Sequence, residues 1–422
     1  MNGTQSLEDL LKQLEHILDA DPLIDEVGFL HPSQFPELVK EAVNRSNDGN
    51  IVPEGSDGLS YDFWSLDHKL GISTDILLPL YRAAKHAFTQ AFMEYKVLMA
   101  STKESSTAED LNASNCTSSS MSLVEIEAMK HSRALLLLSC DFGTAWNLRK
   151  SIVSRVQKFQ LFRDELLLSS LVLSYAPKSE RAWSHRRWVI KMIAGKCSNL
   201  EEIVGRESEF VEKLAEKSKM NYRAWNHRCW LVTYMSREKV IHELTQSRRW
   251  AGLHIADSSC FHYRARLLFK TLGVSSDGQD SGALSDPNLY GLWKEELDWL
   301  EQLIRRYVGR EALWLHRRFL SYYWITHFIT HVQSESHDFM NVETFMDNEL
   351  QLCRFSSAIP DNDFEDYEAQ AAFSATYIMW LSRQVADYLE IDFQNKLEAN
   401  GFKSLLENVC PQKSVLWDTL KC

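Results

Sequence analysis

No run of apolar residues in this chain of 422 approaches the roughly twenty needed to cross a bilayer, so no membrane span is expected. There is no Gly-rich phosphate loop and no nucleophile elbow, which removes the common signatures of nucleotide hydrolysis and acyl transfer. Basic residues are outnumbered: 46 Lys and Arg against 58 Asp and Glu leave a formal charge of −12. That balance argues against a non-specific binder of nucleic acid or anionic membrane. The eight cysteines (Cys116, Cys140, Cys197, Cys229, Cys260, Cys353, Cys410 and Cys422) show no paired spacing. With no basic-then-apolar leader at the N-terminus they are expected as reduced thiols, and the sequons at Asn2, Asn44, Asn112 and Asn115 as chance matches. Asn2 removes a myristoylation motif, and Leu420-Lys-Cys422 is not a prenylation box. The expected address is the cytosol, with the nucleus as its alternative. Strand patterns of convincing length are missing too.

What is present is one phrase written five times. It reads Asp141-Phe-Gly-Thr-Ala-Trp146-Asn-Leu-Arg149, then Lys178-Ser-Glu-Arg-Ala-Trp183-Ser-His-Arg186, then Asn221-Tyr-Arg-Ala-Trp225-Asn-His-Arg228. Asp257-Ser-Ser-Cys-Phe261-His-Tyr-Arg264 follows with Phe for Trp, and Arg310-Glu-Ala-Leu-Trp314-Leu-His-Arg317 closes the series. The aromatic residues stand 37, 42, 36 and 53 positions apart. The first three steps fit a helical-hairpin solenoid, whose period runs from roughly 34 to 47 residues. The long fourth step contains Gly273 to Pro287, rich in Gly, Ser and Asp, and reads as an inserted loop.

A helix explains the phrase. Its opening Asp, Ser or Asn can hold free backbone N–H groups. The aromatic residue then falls in the first turn, with the Arg three positions on along the same face. Such an aromatic anchors one hairpin on the next, and the Arg can reach carbonyls or carboxylates of the neighbouring repeat with five donors. Trp146, Arg149, Trp183, Arg186, Trp225, Arg228, Phe261, Arg264, Trp314 and Arg317 are therefore expected as structural repeat residues. The recurring His185, His227 and His316 read as hydrogen-bonding packing residues. His327 and His331 have a metal-capable spacing, but the Glu of a zinc-protease motif is missing. No metal site is expected in this chain.

Asn-Tyr-x-x-Trp-x-x-Arg, spelled in full by Asn221 to Arg228, resembles the repeat of protein prenyltransferase α subunits. The likeness covers roughly Val124 to Thr330. Ile24-Asp-Glu-Val-Gly28 and Lys69-Leu-Gly71 are most similar to the branch of prenyltransferase α-subunit repeat-containing proteins. The first repeat lacks Asn-Tyr, the fourth has Phe261, and the fifth has Arg310-Glu311 in that region. The resemblance implies an all-α fold, a right-handed solenoid or crescent of helical hairpins like a tetratricopeptide superhelix. In that family the crescent wraps a β subunit that carries the catalytic zinc and the isoprenoid pocket. No cofactor is then bound by this chain itself; zinc is expected in the partner.

The resemblance also implies a site. The family's α subunit directs a Lys, five positions before the Trp of the second repeat, at the diphosphate leaving group; here that is Lys178. A positioned ammonium near a helix N-terminus would stabilise the charge that grows as the C–O bond breaks. Tyr222, three before Trp225, matches a family tyrosine near the same phosphate. Arg223 stands where a His is frequent and would suit the diphosphate too. A Lys after Pro at a loop-to-helix junction is equally read as a solvated surface residue.

Along the chain, residues 1–100 are expected as an N-terminal helical region. It has an amphipathic helix from Ser6 to Asp19, a turn at His31 to Pro36, a loop at Asn44 to Ser60 and a long helix from about Thr74 to Met99. Residues 101–122 form a Ser-rich insertion too polar to offset its ordering entropy. Residues 123–332 hold the repeats, and 333–422 a C-terminal helical region with a helix at Phe364 to Leu389. The function implied is the α-type subunit of a heterodimeric protein prenyltransferase, most similar in branch to geranylgeranyl transfer. It would work with a β subunit of the Rab geranylgeranyltransferase type, on geranylgeranyl diphosphate and a substrate protein with a C-terminal cysteine. The alternative is a non-enzymatic α-solenoid adaptor that kept the fold without the chemistry. An RNA-binding helical repeat is disfavoured by charge and by irregular repeat lengths.

Overall fold

Helix α1, Leu7–Ala20, buries Leu10, Leu11, Leu14 and Leu18, the i, i+3, i+4 spacing its sequence predicts. It begins a computed structural model that describes residues 7–38, 40, 62–105, 121–196, 199–271, 287–328, 342–358, 365–399, 401–402, 404 and 407. The expected loop at Asn44 to Ser60 lies outside the described residues, as do His331 and all of the expected loop at Gly273 to Pro287 except Pro287, which begins a helix. The chain divides into two compact units: Met1–Leu200 with Phe210–His227, and Glu201–Glu209 with Arg228–Cys422.

The first unit holds a feature that the sequence reading missed. Strands β1 (Glu26–Leu30), β2 (Phe63–Leu66) and β3 (Lys69–Ser73) form a sheet in the order β1-β3-β2. The stretches singled out as family-like, Ile24 to Gly28 and Lys69 to Gly71, largely pair with each other. Gly28 stands opposite Gly71 in a parallel ladder. Strands of four or five residues are too short to show a period, and their pairing spans more than thirty positions. Asp67 and His68 turn β2 into β3, both at positive φ, the geometry of a two-residue hairpin.

Helix α2, Leu77–Ser105, begins after a 3-10 turn capped by Ser73 and runs beyond Met99 through Ser105. Of the Ser-rich stretch, residues 106–120 lie outside the described residues. Then come α3 (Leu123–Leu138), α4 (Gly143–Val156), α5 (Phe159–Tyr175), α6 (Glu180–Ala194), α7 (Leu200–Lys217) and α8 (Tyr222–Leu231). Ser122 and Glu125 start α3 with a capping box. Within the first unit α3 packs on α4, α5 on α6, and α4 on α6, so consecutive hairpins stack. The sheet leans on α5: Val27 N–H donates to Ser174 Oγ at 3.2 Å, and Phe29 meets Tyr175 edge to face at 5.3 Å.

The second unit repeats the scheme with α9 (Arg237–Leu253), α10 (Ser258–Thr271), α11 (Pro287–Arg306), α12 (Glu311–His327), α13 (Val342–Ser356) and α14 (Glu365–Ala399). Helix α9 packs on α10, α10 on α12, and α12 on α14. Between α11 and α12 the chain turns at Gly309, φ +74°. A Cβ there would stand 2.8 Å from the Asp366 carbonyl oxygen, so only glycine fits. Among the described residues both units are stacked helices, the first with one small open sheet: an all-α helical-repeat arrangement.

Candidate functional site

In every phrase helix the aromatic residue is the fourth residue: Trp146 in α4, Trp183 in α6, Trp225 in α8, Phe261 in α10 and Trp314 in α12. All five are buried. Three of these rings meet the imidazole that stands two positions after the next phrase aromatic. Trp146 lies 4.5 Å from His185, Trp183 4.9 Å from His227, and Phe261 5.3 Å from His316. Phe261 keeps this contact, which explains why Phe can replace Trp there.

The phrase arginines are equally fixed. Arg149, Arg186, Arg264 and Arg317 each donate from Nη1 to the carbonyl twenty residues earlier: Met129 at 2.6 Å, Leu166 at 2.7 Å, Leu244 at 2.6 Å and Leu297 at 2.9 Å. These carbonyls belong to the preceding helix, so each arginine ties its hairpin together. Four of the phrase arginines also grip a buried glutamate: Arg149 with Glu165, Arg228 with Glu243, Arg264 with Glu296 and Arg317 with Glu349. A third group closes each set. His185 Nε2 lies 2.7 Å from Glu165, Tyr263 Oη 2.6 Å from Glu243, His316 Nε2 3.0 Å from Glu296 and Tyr377 Oη 2.6 Å from Glu349.

Burial opposes ionisation of Glu165, yet the Arg149 guanidinium and His185 hold its carboxyl down at about 2. Glu296 is depressed in the same way by Arg264 and His316. Burial pushes the His185 and His316 imidazoles below their usual range despite the facing carboxylates, so both act as neutral donors. These sets are structural. Sequence reasoning missed the glutamates, although three of them stand twenty positions before a His or Tyr that follows the phrase aromatic by two.

Lys178, Tyr222 and Arg223 are a different case: the fold brings them together. They line one surface hollow of about 290 Å³ with Glu180, Arg187 and Met220. The Pro177 carbonyl accepts from Trp183 Nε1 at 3.0 Å and from Asn221 Nδ2 at 2.9 Å. Two repeat residues thus pin the turn that carries Lys178. Ser179 caps α6, accepting from Ala182 N–H, and donates to Asp141 at 2.8 Å. Lys178 is exposed and has no ion-pair partner among the described residues. Arg223 pairs with Glu180, whose other oxygen lies 2.9 Å from Arg187. The hollow therefore carries three cations around one carboxylate, a setting that favours an anion. Glu180 and Arg187 were not foreseen; they stand three before and four after Trp183.

Among the described residues no group of three or more His, Cys, Asp and Glu could hold a metal ion, and no helix is long and apolar enough to cross a membrane. His327, at the end of α12, lies against the Tyr323 ring at 5.0 Å.

Comparison with known proteins agrees with this register. The profile of the family described as "Protein prenyltransferase alpha subunit repeat" matches residues 162–193, 205–235 and 293–324, the hairpins α5–α6, α7–α8 and α11–α12. The chain is 32% identical over 232 residues to "Protein prenyltransferase alpha subunit repeat-containing protein 1" of Danio rerio, covering 45% of this chain and 53% of that protein. It is 30% identical over 230 residues to the Homo sapiens protein of that name, covering 44% and 57%. It is 26% identical over 155 residues to "Geranylgeranyl transferase type-2 subunit alpha" of Saccharomyces cerevisiae, covering 35% and 46%. The matches span about half the length of these curated relatives. With the phrase register, the buried arginine sets and these similarities in agreement, the chain carries repeats that match the protein prenyltransferase alpha subunit repeat model and resembles the repeat-containing protein 1 branch.

Proposed function

We propose that this chain is a helical-repeat adaptor that binds protein partners through the exposed faces of its phrase helices. One observation carries the reading: the repeat's chemistry-bearing residues are used up in packing. The arginine and the histidine or tyrosine of each set bond its glutamate in the interior, as Arg264 and His316 do with Glu296, and only other positions of α4, α6 and α8 face outward. The resemblance to the repeat-containing protein 1 branch supports it.

A second reading rests on the hollow around Lys178. An α-type subunit of a protein prenyltransferase would offer Lys178, Tyr222 and Arg223 to an isoprenoid diphosphate, while a β subunit supplied the zinc and the thiolate chemistry. The likeness to a geranylgeranyl transferase α subunit supports this reading. Lys178 would then stabilise charge on the departing diphosphate.

Co-expression with prenyltransferase β subunits separates the two. The complex would be purified and supplied with labelled geranylgeranyl and farnesyl diphosphates and a pool of acceptor proteins. The adaptor reading expects a stable complex without transfer, using a β subunit proven active with its own α subunit. Transfer that collapses in a Lys178→Ala complex of unchanged assembly overturns the adaptor reading and establishes the second.

A further inference from the structure

The first unit carries more positive charge on its phrase helices than the hollow accounts for. Lys150 on α4 and Arg181 on α6 are neighbours, and neither has an ion-pair partner among the described residues. Lys150 is half-buried and sits 5.9 Å from the centre of the Trp188 ring. Burial and the Arg181 guanidinium together pull its ammonium pKa below the usual lysine range, as expected of a cation facing a like charge. Arg181 also reaches over the start of α4, where a Cβ on Gly143 would meet its guanidinium at 2.7 Å.

Lys178, Arg187 and Arg223 line the hollow already described. Five cations therefore stand on three successive phrase helices, α4, α6 and α8, or on the turn before α6, with two carboxylates among them. Glu180 is held between Arg187 and Arg223, and Asp141 accepts from Ser179. This strip belongs to a chain whose formal charge is −12, so it is a local reversal of sign. Apolar and aromatic surface borders it: Tyr222 is 67% exposed and Met220 65%. Met220 is held at φ +54°, a conformation that costs a side-chain-bearing residue free energy.

We propose that the strip from Lys150 and Arg181 to Arg223 is a docking surface for an acidic, aromatic-containing segment of a partner protein. The inference rests on the adaptor reading and names the chemistry of its partner. Charge complementarity carries it. Carboxylates laid along the strip relieve the repulsion between Lys150 and Arg181. Glu180, a carboxylate of this chain lodged between two guanidiniums, shows that the surface accepts that group. Tyr222, Met220 and Trp188 supply the side-chain types enriched at protein interfaces. A nucleic acid would meet the same cations, but its continuous charge would also meet the field of a strongly acidic chain.

The test uses the full chain and a fluorescein-labelled peptide of alternating Glu and Tyr, read by anisotropy. Its controls are the same peptide with Lys for Glu and a labelled single-stranded oligonucleotide. The expected result is binding of the acidic peptide alone, weakening as salt rises. It should fall about tenfold in the Lys150→Glu/Arg181→Glu variant, the loss of two charge contacts made reversed. The Lys150→Gln/Arg181→Gln variant repeats the measurement with less risk to folding and should show a smaller loss in the same direction. Unchanged affinity in a folded double variant, or an oligonucleotide that displaces the peptide, overturns the proposal. A chain that still binds a β subunit while ignoring the acidic peptide loses this inference and keeps the adaptor reading.

Discussion

Arg317 and Glu349 face each other as a two-point pair, with Nε 3.0 Å from one carboxylate oxygen and Nη2 2.5 Å from the other. Both side chains are fully enclosed. Two parallel charge-assisted bonds fix orientation as well as distance. The Glu349 oxygen that accepts from Nε also accepts from Tyr377, whose hydroxyl lies 2.7 Å from Ser321. The pair therefore locks α12 to α13 and α14 through a single carboxylate.

Removing one member strands the other. Arg317→Met should destabilise the protein by about 3–5 kcal/mol, since Glu349 is left as an unpaired buried charge. Arg317→Met/Glu349→Leu should recover part of that loss. Urea denaturation of the single and double variants measures both, and equal loss in the two would refute the account.

The Arg149–Glu165–His185 set gives stability a defined acid response. Glu165 has a folded pKa of about 2 against 4.5 for the free side chain, so its contribution is fully present above about pH 4.5. It is lost as pH falls toward 2, amounting to about 3 kcal/mol. His185 is depressed below its free value of 6.5: the unfolded chain takes up the proton first, so stability begins to fall below about pH 6.5. Tm measured from pH 7.5 to 3 should show both phases, and His185→Gln, which keeps an N–H donor, should shrink the upper one while the share of His316 remains.

Gly309→Ala should cost about 1–3 kcal/mol, because the left-handed backbone and the Asp366 carbonyl both exclude a Cβ. A thermal melt decides it. An unchanged Tm would mean that α14 can move away at no cost.

Lys178 and Trp183 lie five residues apart and should behave oppositely. Trp183→Ala removes a fully buried indole and should cost about 3–5 kcal/mol. Lys178→Ala touches an exposed side chain and should leave stability within about 0.5 kcal/mol. Chemical denaturation of the two variants tests the separation, on which the use of Lys178→Ala as a functional probe depends.

The sequence by itself determined the repeat, its register and its class. Aromatic and arginine three apart on a helix face are a local pattern, and five copies in phase leave one way to stack them. The family resemblance, carried onto the phrase register, singled out Lys178, Tyr222 and Arg223, which line one hollow in the structure. The helix expected from Ser6 to Asp19 is α1, and the one from about Thr74 to Met99 is α2, which starts a turn later and runs on to Ser105.

Only the tertiary structure decided the partners. Glu165, Glu243, Glu296 and Glu349 lie 15 to 32 positions from the arginines they bind, and nothing local distinguishes them from the many exposed glutamates. The pairing of β1 with β3 likewise depends on two short segments meeting against α5, and the coupling of Glu180 to Arg187 and Arg223 on two helices being set side by side. Periodicity is written along the chain, whereas the identity of a buried charge's partner exists only once packing has excluded water from both.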